Sequence, residues 1–164
     1  PATPLPYKEH KTLVEAVSVL RQNNPAVSGK IRIHFTVPIG GYPFLERLIA
    51  DHGVSEQFVF DGVMSHERLL SLYKASQGLL FPSTIETLGL PLLEAAAFGL
   101  PIIASDSDYA HEVLHGYEGV IFAKAENYQK WADLILRICE EIPTFEPLIP
   151  KESSWGKFFE LINR

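Results

Sequence analysis

Short apolar runs set between helical stretches constrain this chain more than any other feature of its sequence. Phe58-Val59-Phe60 and Leu79-Leu80-Phe81, and the stretches 100–104 and 119–122, are continuous and apolar but too short for buried helices. They read as strands covered on both faces. Residues 31–37 alternate in polarity and run into Pro38 and Gly40-Gly41, a strand entering a turn. Between these runs, 43–52, 65–76, 90–98 and 128–139 have helical patterns. An earlier helix carries Leu13, Val14, Ala16, Val17 and Leu20 on one face and stops at Asn23-Asn24-Pro25. Strands alternating with helices predict an α/β chain with a Rossmann-like parallel sheet and helices on both faces. One domain is expected over residues 1–142. Three prolines across 143–150 then predict an extended connection, followed by a C-terminal helix over 155–162 of the same domain.

At 46% hydrophobic and 21% charged residues, 164 residues suffice for a core without disulfides or metal. The single Cys139 lies in a helical apolar pattern and reads as a buried thiol in a reducing compartment. A formal charge of −6 argues against nucleic acid or anionic lipid as a partner. There is no membrane-spanning run and no signal-peptide pattern, so a cytoplasmic location is expected.

In open α/β sheets, ligands sit beyond the carboxyl ends of the strands, where free amides at a helix N-terminus hold anions. The segment from Phe81 to Glu94 runs from strand through loop into helix, with Pro91 in the first helical turn. Gly89 allows close backbone approach, and the amides of Leu88, Gly89 and Leu90 lack partners within the helix. Glu86 in the loop and Glu94 in the helix are expected to flank the anion, each accepting from hydroxyls on either side of a diphosphate. A plainer reading stands beside this one: Glu86 as a solvated loop residue, and Glu94 as a favourable charge near the positive helix end.

The stretch FPSTIETLGLPLLEAAAFGLPIIASD, with its two glutamates, resembles the core signature of the glycosyl transferases group 1 family. YKEHKTLVEA, FVFDGVMSHERLLSLYKAS and YAHEVLHGYEGVIF are similar to neighbouring segments of that family, in family order. The resemblance implies the C-terminal, donor-binding half of a GT-B fold in a retaining enzyme. It implies that Glu94 holds the donor ribose and Glu86, the catalytic candidate, lies near the anomeric carbon of the transferred hexose. The amides of Thr87, Leu88, Gly89 and Leu90 would grip sugar and diphosphate, Lys8 would neutralise the leaving diphosphate, and Val63 and Arg68 would meet the nucleobase. No metal and no cofactor are implied; the partners are a nucleotide-sugar donor and an N-terminal domain outside this chain. The fragment alone is expected to be inactive, with its first strand upstream of Pro1. A role in surface polysaccharide or glycoconjugate synthesis is expected, and action of the full-length enzyme at a membrane surface is left open. The chain departs from the family pattern in having Leu88 at a usually aromatic position and no arginine in residues 1–7.

His111-Glu112-Val113-Leu114-His115 spells the zinc-protease pattern, two histidines one helical turn apart with a glutamate between them. Gly116 leaves little helix to hold it, and no third ligand is identifiable. Two other readings stay open: a non-catalytic nucleotide- or sugar-binding regulatory module, and another GT-B enzyme such as a phosphorylase or an epimerase. Tyr7, Tyr73, Trp131 and Trp155 read as core or domain-contact aromatics. His10 beside Lys8 reads as a solvated helix-start residue, with a place facing the diphosphate as the alternative.

Overall fold

A computed structural model describes residues 5–141 and 143–148. The strands are β1 (Ile33–Phe35), β2 (Phe58–Phe60), β3 (Leu79–Phe81), β4 (Ile102–Ser105) and β5 (Val120–Ala123). The helices are α1 (His10–Asn23), α2 (Pro25–Ser28), α3 (Pro43–Asp51), α4 (His66–Ala75), α5 (Leu90–Ala97), α6 (Asp108–Val113) and α7 (Tyr128–Glu141). β1 pairs with β2, β3 with β4 and β4 with β5, all in parallel. The predicted Rossmann-like α/β architecture is therefore present, with its strands in two groups, β1-β2 and β3-β4-β5.

β4 shows how the layers form. All four of its residues are buried, as a central strand with helices on both sides requires. The two-residue period then sends Ile103 to one core, and Ile102 and Ala104 to the other. The first core joins α1, α3 and α7 to β1 and β2 through Leu13, Val17, Leu20, Leu45, Trp131 and Ile135. The second joins α4, α5 and α6 through Tyr73, Leu92, Ala95, Ala96 and Ala110. Trp131 is fully buried, and its indole N–H donates to the Lys124 carbonyl at 3.1 Å, so its one polar atom is satisfied.

Ser65 caps α4 as expected, its hydroxyl accepting from the Arg68 amide at 3.3 Å. β1 is shorter than the predicted 31–37, although Ile31 and Val37 are buried beside it. β4 begins at Ile102, because the Leu100 amide bonds back to Ala95 and closes the turn after α5. Pro25, read as a stop, also opens the one-turn helix α2 from position N1, where a missing N–H does no harm. Cys139 is half-buried, a correction to its reading as a buried thiol. Residues 143–148 form neither helix nor strand and lie along the end of α5, with the Phe145 amide donating to Gly99 and the Leu148 amide to Ala96. The helix expected over 155–162, with Trp155, lies outside the described residues. Among those residues, no helix is long and apolar enough to cross a membrane.

Candidate functional site

The loop between β3 and α5 is fastened from two sides. On one side, the Ser83 carbonyl accepts from the Ser105 hydroxyl at the end of β4, and from the Tyr109 phenol at 2.6 Å. On the other, the Thr84 amide and hydroxyl donate to the Tyr7 carbonyl at 2.9 and 3.2 Å, and the Ser83 hydroxyl reaches the same oxygen at 3.4 Å. Tyr7 belongs to a 3-10 turn, Pro6–Lys8, just before α1. This stitching brings together two segments far apart in sequence. Its result is an ion pair between the Lys8 ammonium and the Glu86 carboxylate, each side chain 13% exposed. The Lys8 nitrogen also lies 5.6 Å from the centre of the Tyr7 ring and 5.8 Å from that of Phe81.

Glu9, between Lys8 and α1, has φ +48°, the one non-glycine residue with positive φ among the described residues. Such a conformation is uncommon for a side-chain-bearing residue and marks a tightly constrained turn. Directly after it, His10 is 6% exposed, packed edge-on against Phe35 and Tyr42, which corrects its reading as solvated. Burial, and then the neighbouring Lys8 charge, lower its pKa to about 4, so it is neutral at physiological pH. Its Nδ1 is buried without a hydrogen-bond partner.

Glu94 lies one turn into α5 and accepts from the Tyr73 phenol of α4 at 3.0 Å. Tyr73 is 6% exposed, and burial, reinforced by Glu94, pushes its phenol well above the ordinary range. It therefore remains a donor to the carboxylate. Gly89 caps α5 with φ +59°, a conformation glycine adopts without strain, and a Cβ at this position would lie 3.4 Å from the side chains of Leu92 and Val113. Thr87 and Leu88 are exposed and Leu90 half-buried. Among the described residues, the amides of Thr87, Leu88, Gly89 and Leu90 donate to no protein acceptor. The tip of α5 thus carries amides without protein partners, on the exposed Thr87 and Leu88, the buried Gly89 and the half-buried Leu90.

Glu86 lines a cavity of about 480 Å³ with Thr84, Asp106, Ser107, Asp108 and Tyr109. Glu94 lines neither this cavity nor a larger one between β1 and β3. The structure brings Lys8 to Glu86 and sets Glu94 against Tyr73. Val63, 89% exposed, and the exposed Arg68 lie on the β2–α4 connection and the start of α4, and neither forms a hydrogen bond or ion pair with Glu86 or Glu94. Tyr109 and its polar neighbours were missed in the sequence. Their signal was available, since Ser105-Asp106-Ser107-Asp108 follows the carboxyl end of a strand.

The His111–His115 pattern does not form a helical ligand pair. α6 ends at Val113, so only His111 is helical; it pairs with Asp106 at 2.7 Å and stacks on Phe122. Among the described residues, no group of three or more potential ligands converges on one point.

The model of the Glycosyl transferases group 1 family matches residues 3–151. The chain is 30% identical over 99 residues to the O-antigen chain mannosyltransferase RfbU of Salmonella typhimurium, covering 60% of this chain and 27% of that protein. It is 27% identical over 147 residues to the D-inositol 3-phosphate glycosyltransferase of Stackebrandtia nassauensis, covering 84% of this chain and 32% of that one. The chain thus spans about a third or less of these curated relatives. In structure, it superposes on an S. aureus TarM mutant in complex with fondaparinux, alpha-GlcNAc-glycerol and UDP, with TM-score 0.76, 17% identity and coverage of 99% and 34%. A glycosyltransferase from Rickettsia africae matches with TM-score 0.70, 22% identity and coverage of 88% and 37%. A parallel sheet wound on both faces, a loop-and-helix tip with free amides, and a family match across nearly the whole chain place this protein in the Glycosyl transferases group 1 family.

Proposed function

We propose that this chain is the donor-binding domain of a retaining hexosyltransferase that uses a nucleoside-diphosphate sugar and works with an N-terminal acceptor domain. The observation that carries the reading is the Lys8–Glu86 pair, set beside the partnerless amides at the tip of α5. A diphosphate needs positive charge and N–H donors, and both are offered there without a metal ion. The free amides of residues 87–90 hold the phosphates, and Lys8 exchanges part of its contact with Glu86 for the departing diphosphate. Charge builds on that leaving group as the glycosidic bond breaks, so fixed donors stabilise the transition state more than the ground state.

Glu86 then orients the hexose, whose hydroxyls meet the acceptor-rich cavity of Asp106, Asp108 and Glu86. Attack by the acceptor on the face the leaving group vacates retains configuration, so Glu86 serves as a positioning group and not as a nucleophile. Glu94, steadied by Tyr73, accepts from the ribose hydroxyls, while Val63 offers backbone to the base and Arg68 adds a side-chain contact. The mannosyltransferase among the relatives supports a hexose and a role in surface polysaccharide synthesis. A cytoplasmic site of action agrees with a nucleotide-sugar substrate. In a calorimetric titration with UDP, GDP and ADP, we expect one nucleotide to bind in the millimolar range or tighter, and Glu94→Ala to weaken it about tenfold, the loss of roughly one charge-assisted hydrogen bond. Absence of binding by all three at millimolar ligand would overturn the proposal.

A further inference from the structure

The hydrogen-bonding character of the cavity around Glu86 follows from where its hydroxyl protons go. We propose that this cavity admits an uncharged, hydroxyl-bearing hexose and rejects a hexuronate, with Asp106 and Asp108 as the residues that determine the choice. The inference rests on the donor reading above and adds to it the class of sugar carried by the donor.

The lining includes the polar side chains of Thr84, Glu86, Asp106, Ser107, Asp108 and Tyr109. Their hydroxyl protons are already committed. The Thr84 hydroxyl donates to the Tyr7 carbonyl at 3.2 Å, and the Tyr109 phenol to the Ser83 carbonyl at 2.6 Å. The Ser105 hydroxyl, outside the lining, also donates to the Ser83 carbonyl. A hydroxyl has one proton, so in its 3.2 Å contact with Ser107 the Ser105 oxygen accepts and Ser107 donates. The ionised carboxylates have no proton to give. All six side chains therefore meet a ligand as acceptors.

Charge points the same way. Three carboxylates line the cavity, and no lysine, arginine or histidine does. Glu86 pairs with Lys8 through Oε1 and Asp106 with His111 through Oδ1, which leaves each a second oxygen for a ligand. Asp108 has no ion-pair or hydrogen-bond partner among the described residues. The backbone amides of Asp108 and Tyr109 lack backbone acceptors, but the Asp108 carboxylate stands in the same first turn of α6 and answers their partial positive charge. Among the described residues, no three such side chains converge as the ligands of one metal ion would. Set apart in this way, the carboxylates suit separate hydroxyls of one ring.

A neutral hexose brings hydroxyl protons, which this lining accepts. The same sugar oxidised at C6 brings a carboxylate, an acceptor that finds no donor side chain in the lining and three like charges around it. Placing like charge against the wrong ligand is a general route to specificity. Asp106 and Asp108 are exposed, so water screens part of the repulsion and the discrimination is set at about tenfold, not thousands. The volume of about 480 Å³ is in the range of small-molecule sites, roughly 300–1,000 Å³.

The test titrates the full-length protein with UDP, GDP and ADP, and with the matched hexose and hexuronate forms of each: glucose and glucuronate on UDP and ADP, mannose and mannuronate on GDP. On the nucleotide that binds, we expect the hexuronate to bind at least about tenfold more weakly than the hexose. Asp106→Asn/Asp108→Asn should narrow that ratio about fivefold, and Asp108→Asn alone by a smaller factor; both positions are exposed, so the fold tolerates the changes. Binding of the nucleoside diphosphate with equal affinity for its hexose and hexuronate forms would overturn this inference and leave the donor reading standing. A ratio unchanged in both variants would also overturn it, because the discrimination would then come from shape. Failure of all three nucleoside diphosphates to bind would overturn the donor reading, and this inference with it.

Discussion

Glu86 and Glu94 are the same residue eight positions apart, yet they are held by opposite means. Glu86 sits on a loop and owes its place to a cation from the far end of the sequence. Glu94 sits on a helix and is steadied by a neutral phenol from within the second core. A carboxylate paired with an ammonium has its charge largely answered and can lose its orientation when the partner is drawn elsewhere. One held by a phenol keeps its charge and a second oxygen with which to accept. The first arrangement suits a group that must respond as charge develops; the second suits a fixed grip.

The comparison can be broken most severely at Lys8. In the full-length protein, Lys8→Met should reduce the rate of sugar transfer by roughly 10²–10³, falling mainly on kcat, because the Glu86 anchor is lost together with the charge that the proposed function sets against the leaving group. A steady-state assay showing an effect on KM alone would mean that Lys8 does no more than bind. Next in size is the pH response at this same end of the site. His10 has its folded pKa lowered to about 4, below the ordinary value of about 6.5, so the unfolded chain takes up the proton first as pH falls. The stability that neutral His10 permits is present above pH ~6.5 and is lost between there and pH ~4, by about 3 kcal/mol in total. Urea denaturation across that range, comparing the natural chain with His10→Phe, should show the two curves separating by this amount. The gentlest test is at Glu94: Tyr73→Phe should lower stability by about 1 kcal/mol and weaken nucleotide binding about threefold, while leaving the ratio of transfer rates between natural and Lys8→Met proteins unchanged. A change in that ratio would show that the two glutamates act as one unit.

Local pattern made most of the architecture legible. The apolar runs at Phe58-Val59-Phe60 and Leu79-Leu80-Phe81 became β2 and β3 as read, because runs this short are too brief for a helix, and each is buried or half-buried along its length. α6 was missed because Asp108–Val113 is short, polar at its start and without a full apolar period. The division of the strands into two groups was hidden for another reason: neighbours in a parallel sheet are chosen by long-range geometry that no window of sequence contains. The site followed the same rule. Its loop and helix tip were visible in one segment, whereas Lys8–Glu86 and Tyr73–Glu94 join residues that only folding brings within reach. His10 was misjudged from its place beside Lys8 at the helix start, although its spacing from Leu13, Val14 and Val17 places it on the apolar face of α1.

The junction at the Tyr7 carbonyl carries a mechanical consequence. Because that oxygen accepts from the amide and hydroxyl of Thr84 and from the Ser83 hydroxyl, the start of α1 and the loop bearing Glu86 are riveted at one point. α1 in turn lies along α7 through the first core. A small rocking of this helix pair is therefore a lever on the Glu86 loop, and a force applied at the back of the domain would be felt two residues away from that carboxylate.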